Sequence, residues 1–380
     1  MTLRENLNAI LHYRNFDRMP VLHFGFWQET LEKWADEGHL THEEIAGIDD
    51  GADNEQAIAD KLGFDANYFT VIHDKNSKPL GWYDMPLFPV FEEKIVERYP
   101  DGKYAKLDID GVIVLSKPGA VSIPHEVGHT LVDRASWEKY YVPKLKWTEE
   151  RLDTETIDKI KKMGPDRERF YGVYCASLYG KLRNYWGIVE LSYLQADDLD
   201  LYQECVDTIA DVTFECVKHV LETGVQLDFA HYWEDICFKG GPLVKPDLFR
   251  SSVGKHYKRI SELCHSHGID IISLDCDGYV DNLVPIWLDN GVNTMFPIEV
   301  GAWDYSFGTM REKFGKDVRG VGNMDKRAFS KDKKAIDSEI DRLRRLVDLG
   351  GFIPCPDHRI APDAEWDLVQ YYCKRMHEVF

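Results

Sequence analysis

Positive charge is in short supply: 46 Lys and Arg stand against 66 Asp and Glu in 380 residues, a formal charge of -20. So acidic a surface repels phosphate backbones and anionic headgroups, which excludes nucleic acid and an anionic membrane surface as partners. A basic-then-apolar leader is missing from Met1-Thr-Leu-Arg-Glu-Asn-Leu7. No apolar run reaches the roughly 18 residues that a membrane helix needs, so the expectation is a cytoplasmic chain. The eight cysteines, at 175, 205, 216, 237, 264, 276, 355 and 373, are scattered and form no Cys-x-x-Cys pair. A disulfide framework is thereby excluded and reduced thiols are expected. Cys205, Cys216 and Cys264 fall in helical patterns, where a thiol behaves as a small apolar group. No Gly-x-Gly-x-x-Gly follows an early strand and no P-loop is present, which removes the common nucleotide sites. Internal repeats, low-complexity segments and long linkers are absent as well.

What is present is a large core's worth of apolar material, 44% of the chain, including 10 Trp, 19 Tyr and 18 Phe. Residues 1 to 15 read as a short helix capped by Thr2 with Glu5 three residues on. Arg18-Met-Pro-Val-Leu-His-Phe-Gly-Phe-Trp27 then reads as a strand ending in aromatics, and Gln28 to about Leu62 as acidic helix, with Thr41-His-Glu-Glu44 as a helix start. From Tyr68 to Ser116 the chain changes to alternating strands around Pro100-Asp-Gly102 and Asp110-Gly111, the pattern of an antiparallel hairpin insertion. Beyond about residue 130, strands at Phe170 to Tyr174, Val225 to Ala230, Ile269 to Leu274, Val292 to Phe296, Val318 to Val321 and Gly351 to Ile353 alternate with helices. Those helices include Leu199 to Thr223, Pro246 to His267 and Lys331 to Leu349. Repeated β-then-α units predict a parallel sheet. With Val21 to Phe24 and one strand still to be placed, they make an eight-stranded (β/α) TIM-type barrel. It has an N-terminal helical segment and a hairpin extension within about 28–125, all in one domain spanning 1–380. A doubly wound open sheet is the alternative.

Three strands end in chemistry, which is where α/β proteins build sites. Gly224-Val-Gln-Leu-Asp-Phe229 runs into His231, Tyr232, Trp233, Glu234 and Asp235. The strand at 269–274 runs into Asp275-Cys276-Asp277-Gly278, and the one at 350–354 into Cys355-Pro-Asp-His358. Glu234, Cys276 and Cys355, spaced 42 and then 79 residues apart, would hold a tetrahedral zinc with one position open. Asp275, Asp277, Glu299, His231 and His358 compete as ligands, and two ordinary buried thiols are the bland alternative. Phe24, Phe26, Trp27, Tyr174, Tyr179, Trp186, Tyr232, Trp233 and Tyr279 would line a pocket for a flat apolar substrate or simply pack the interior. Lys181 and Arg183 would pair a substrate carboxylate or lie at a solvated helix start.

Asp17-Arg-Met-Pro20, Trp233-Glu-Asp235, Lys239-Gly-Gly-Pro242, Pro246-Asp-Leu-Phe249, His265-Ser-His-Gly268 and Asp277-Gly278 carry a resemblance to the uroporphyrinogen decarboxylase superfamily, and within it to the methyltransferase branch. It continues through Asn290-Gly-Val292, Pro297-Ile-Glu299, Phe314-Gly315, Gly322-Asn-Met-Asp325 and Gly350-Gly-Phe-Ile-Pro-Cys-Pro-Asp-His358. It implies an eight-stranded barrel with its site at the C-terminal strand ends. Where the decarboxylase carries an arginine-rich segment for its tetrapyrrole, this chain has His23-Phe-Gly-Phe-Trp-Gln-Glu29, which leaves a polyanionic porphyrinogen without counter-charge. The His-x-Cys pair of the thiol-methylating members is Leu274-x-Cys276 here. What remains is similar to the aryl ether O-demethylase methyltransferases, whose zinc is held by a carboxylate and two cysteines, here Glu234, Cys276 and Cys355.

The implied activity is zinc-dependent transfer of a methyl group from a methoxylated aromatic compound to cob(I)alamin on a separate corrinoid protein. Asp235 or His231 would supply the proton. Phe24, Trp27, Tyr174, Trp186, Tyr232 and Tyr279 would hold the substrate. No Asp-x-His-x-x-Gly corrinoid motif occurs, so the cobalamin would arrive on that partner; a homodimer is allowed. The alternatives are methyl transfer between a methylcorrinoid protein and a thiol or tetrahydrofolate, and a metal-free decarboxylase.

Overall fold

Short apolar runs, each followed by an amphipathic stretch of helical length, can bury both faces only as parallel strands under helices. The structure, a computed structural model, describes residues 1–48, 50–51, 53–68, 71–72, 86–117, 125–301 and 303–380. Its strands are β1 (Leu22–His23), β2 (Ala66–Asn67), β3 (Val71–Ile72), β4 (Lys94–Arg98), β5 (Tyr104–Leu107), β6 (Val112–Ser116), β7 (His125–His129), β8 (Gly172–Tyr174), β9 (Phe229–Trp233), β10 (Cys237–Phe238), β11 (Gly241–Pro242), β12 (Ile272–Asp275), β13 (Thr294–Ile298), β14 (Arg319–Met324) and β15 (Phe352–Pro356). One seven-stranded sheet runs β15-β14-β13-β12-β9-β8-β3 with every neighbouring pair parallel. This is the parallel α/β body expected from the sequence, and it rules against an antiparallel core. β1 pairs with β2 in parallel. At the other edge Phe26 forms a parallel bridge with Ile360, just past β15. Trp27 N donates to Ile360 O at 3.2 Å, and Ile360 N donates to Gly25 O at 3.1 Å.

Several boundaries moved. The strand expected at Val225 to Ala230 is β9, Phe229–Trp233. Asp228 is held at its foot by Arg167 at 2.7 Å and by the backbone N–H of Tyr171 at 3.0 Å, so the ladder begins one residue later. The strand left unplaced corresponds to β2 and β3, only two residues each. The expected helix from Pro246 to His267 is two, Pro246–Ser252 and Gly254–Ser266, and residues 42–47 are turn rather than helix although Thr41 and Glu44 exchange capping bonds. The Thr2–Glu5 capping box is present. The insertion is a four-stranded antiparallel meander, β4-β5-β6-β7. Its Asp110-Gly111 turn needs a left-handed residue, which Gly111 supplies at φ +81. Parts of the expected hairpin segment lie outside the described residues. No helix among the described residues is long and apolar enough to cross a membrane.

The main sheet has two different faces. On one, Phe229 and His231 of β9 meet Tyr68 and Phe296 ring to ring, with centroids 4.8–6.2 Å apart. On the other, Tyr232 meets Tyr257 of the helix Gly254–Ser266 at 5.0 Å. The first is ring-lined and the second helix-covered; successive residues of a strand point to opposite sides.

Candidate active site

Register brings three strand ends level. Asp275 of β12 stands beside Trp233 of β9 and Phe296 of β13. Ser273 lies on the ring-lined face, its Oγ 3.2 Å from His231 Nδ1. A period of two then puts Asp275 on that same face and turns Leu274 and Cys276 to the other. Just past the strands, Asp235, Asp277 and Glu299 gather around Asp275. Asp235 adopts a left-handed backbone, φ 47, and its Oδ2 is 3.2 Å from Arg183 Nη1. Strain of this kind at a strand end is a common mark of a functional position. Gly278 N donates to Glu299 Oε2 at 2.8 Å. His358 Nε2 is 3.4 Å from Asp277 Oδ2, with its ring stacked on Trp27 at 5.7 Å and near Phe24 at 5.4 Å.

Crowding of like charges out of water raises these acids. Burial, then the neighbouring Asp277, lifts Glu299 to about 7. Burial, then Asp277 and Asp235, pushes Asp275 well up. Burial also raises Asp235, against the pull of Arg183. A carboxyl that, like Glu299, holds its proton up to about pH 7 suits a site that gives or takes one.

The expected zinc set is not assembled. Glu234 is fully buried, and five donors take up its two oxygens: Leu178 N at 2.8 Å and Tyr257 Oη on Oε1, Ser177 Oγ at 2.9 Å, Tyr179 N at 3.0 Å and Gly180 N at 2.8 Å on Oε2. With about four lone-pair directions on a carboxylate, nothing is left for a metal. Cys276 lines a small cavity together with Leu274, Trp287, Met295, Phe296, Glu299 and Met310, and its Sγ accepts from Ile236 N at 3.4 Å. Cys355 points the opposite way: Phe352, three residues earlier, stacks on the helix residue Phe307 at 4.6 Å, so alternation turns Cys355 to the ring-lined face. The two thiols are therefore on opposite sides of the sheet. Among the described residues no three His, Cys, Asp or Glu side chains converge on a common metal position. Zinc held by Glu234, Cys276 and Cys355 does not fit.

Of the other expected residues, Asp235, Phe24 and Trp27 reach the cluster. His231 does not: it is buried among the rings, and desolvation lowers it to about 3, so it stays neutral and holds no spare proton at ordinary pH. Tyr174 is fully buried, level with His231 in the ladder. Tyr232 packs on the helix-covered face. Trp186 is buried at the end of the helix Gly180–Trp186, and Tyr279 donates to Asp281 at 2.9 Å behind the cluster. Lys181, expected as a partner for a substrate carboxylate, is buried against Asp110 of the insertion at 2.8 Å, whereas Arg183 serves Asp235. Asp275, Asp277, Glu299 and His358 were visible in the sequence only as rivals for the metal. The spacing Asp275-x-Asp277 held the signal, since residues two apart on a strand share a face and the cysteine between them cannot.

Comparison with solved structures gives the fold a relative: a methyltransferase from Methanosarcina mazei, 16% identical, aligned over 100% of this chain and 99% of that one with a TM-score of 0.63. A structure described as a vitamin-B12 independent methionine synthase from Listeria monocytogenes overlaps 59% of this chain and 69% of that one, at 12% identity and a TM-score of 0.36. No curated protein matches. The family model described as Uroporphyrinogen decarboxylase (URO-D) matches residues 183–379, a span that holds β9 to β15 and every carboxylate of the cluster. The chain belongs to the uroporphyrinogen decarboxylase family.

Proposed function

We propose that the chain is a methyltransferase of this family, moving a methyl group from a small methylated compound to cob(I)alamin on a separate corrinoid protein. A methoxylated aromatic is the donor that the sequence nominates. The reading is carried by the cluster Asp235, Asp275, Asp277, Glu299 and His358 at the C-terminal strand ends, where ring faces meet buried carboxyls. The likeness in fold to a methyltransferase supports it. The bridge between Phe26 and Ile360, with the pairing of β1 and β2, supports the view that the strands close into an eight-stranded barrel with that cluster at its mouth. Eight free, buried cysteines suit a reducing cytoplasm.

Displacing a methyl group from an aryl ether leaves a phenolate, whose conjugate acid has a pKa of about 10. That charge needs an acid. Glu299, raised to about 7, is matched to protonate the departing oxygen near neutral pH. Trp27 and Phe24 would hold the ring, and Arg183 fixes Asp235 so that the cluster keeps its shape. The methyl carbon would face outward, where an acceptor approaches in line. No step passes through zinc. The test is absorbance of cob(I)alamin during incubation with methoxylated aromatics and methylated amines: methyl transfer from one of these classes is the expected result, and release of carbon dioxide from a carboxylated substrate without methyl transfer would move the decarboxylase reading to the front.

A further inference from the structure

The antiparallel insertion ends in an open edge. β4 pairs with β5 on one side, and among the described residues no strand lies along its other side. Its five residues, Lys94 to Arg98, are all exposed. Ile95 and Val96 stand next to each other there at 43% and 46% exposure, although adjacent β-branched residues are what a packed strand favours. Lys94 and Arg98 meet no carboxylate within ion-pair distance among the described residues. An open edge is a template for another strand, and proteins that keep one unpaired load it with charge or with a bulge. β4 has both, its ladder shifting register between Ile95 and Glu97. Whether such an edge is guarded or docks a partner is decided by the order of its charges.

That order is self-complementary. When Glu93-Lys94-Ile95-Val96-Glu97-Arg98 is laid antiparallel on a second copy of itself, about a two-fold axis between Ile95 and Val96, Lys94 stands opposite Glu97, Glu93 opposite Arg98 and Ile95 opposite Val96. A slip of one residue in one direction sets Glu93 against Glu97, and in the other it sets Lys94 against Arg98. A parallel alignment in register sets every charge against its like. Directly opposed unlike charges stabilise a strand pair and like charges destabilise it, so a single register is favoured. The segment holds two acids and two bases in a chain of formal charge -20, which makes it a neutral strip on which two acidic molecules can approach. Glu93 is also reached by Lys106 of β5 at 2.6 Å. Lys94 with Glu97, whose own neighbour is the uncharged hydroxyl of Tyr99 at 2.8 Å, is therefore the pair that matters most.

We propose that β4 is a self-association edge, through which two copies of this chain join their insertions as antiparallel strands about a two-fold axis between Ile95 and Val96. The bulge lies at that axis, so the contact rests on the flanking charge pairs and the aliphatic cluster rather than on an unbroken ladder. One strand from each copy buries less than the roughly 1,200 Å² of a stable interface. The dimer is accordingly weak and concentration-dependent, with a dissociation constant on the order of 10–100 μM. A contact of this symmetry uses the same surface on both copies and stops at two.

The test is sedimentation velocity of the full-length protein at low salt, over concentrations from about 1 to about 500 μM, which bracket the expected constant. The unaltered chain should pass from monomer to dimer across that range. Lys94→Glu and Glu97→Lys, both at exposed positions and each confirmed folded, should weaken self-association at least about tenfold, because each sets like charges against one another across the axis. An equimolar mixture of the two variants should dimerise again, as should the double variant Lys94→Glu/Glu97→Lys, since both restore unlike pairs. A monomer throughout the range, a dimer indifferent to either single substitution, or a mixture that stays monomeric would overturn the proposal. Growth beyond two would overturn it as well, by pointing to head-to-tail pairing of β4 with β7, the other edge of the insertion.

Discussion

Glu234 illustrates how far a residue's type underdetermines its work. A buried glutamate at a strand end can ligate a metal or anchor a loop, and what decides is the set of donors around it. Ser177, Leu178, Tyr179, Gly180 and Tyr257 are all aimed at its oxygens. Glutamine would set an amide N–H₂ against N–H donors, so Glu234→Gln should lower stability by about 3 kcal/mol in urea unfolding, with no change in bound metal. Glu299 makes the opposite prediction. Its folded value of about 7 lies above the ordinary 4.5, so the folded chain holds this proton more tightly than the unfolded one. Its favourable contribution is complete below about pH 4.5 and is lost as pH rises through about 7, a change of about 3 kcal/mol. Thermal stability should therefore fall between pH 5 and pH 8, and Glu299→Gln should flatten that fall. A profile equally steep in the variant would show that Glu299 is not a source of it. The sequence named these residues but not their facing. Alternation along β12 would have separated Asp275 and Asp277 from Cys276, whereas the five donors on Glu234 come from loop and helix geometry that no spacing reveals.

Among the elements, the antiparallel insertion is tied to the body through its Asp110-Gly111 turn. Lys181 of the helix Gly180–Trp186 reaches Asp110 at 2.8 Å, and Tyr141 Oη donates to the Asp110 carbonyl at 3.0 Å. Lys181→Met would leave a buried carboxylate short of its cation, at a cost of roughly 3 kcal/mol. Hydrogen exchange should show it first as faster exchange in β4 to β6, ahead of β9 and β12; uniform acceleration across the chain would contradict this anchoring role. The meander was legible because Pro-Asp-Gly and Asp-Gly turns are written in sequence. β2 and β3 were not, because strands of two residues carry no periodicity and exist only through pairing; β1, equally short, was found because it lies in the apolar run Val21 to Phe24. β9 was misplaced at its start because the apolar run includes Asp228, and a charged residue held by Arg167 ends a ladder as effectively as a turn does.

For the molecule as a whole, the order of strands was readable because parallel strands buried on both faces leave unbroken apolar runs. Which side chains met at their ends depended on register and on face. The account therefore divides two sets of residues that are close in sequence. One comprises Asp275, Asp277 and Glu299 at the C-terminal strand ends. The other comprises Cys276 and Cys355, core thiols on opposite sides of the sheet. Cys276→Ala, which trims one buried sulfur, should cost about 1–2 kcal/mol and leave chemistry alone. The most direct measurement is methyl transfer to cob(I)alamin by Glu299→Gln and by Cys276→Ala, each confirmed folded, against the unaltered protein. We predict a loss of about a hundredfold or more in the first, within the range removed with a general acid or a charged binding group, and near-full activity in the second. Full activity in Glu299→Gln together with loss of activity and of bound zinc in Cys276→Ala would contradict the account and return the site to the thiols.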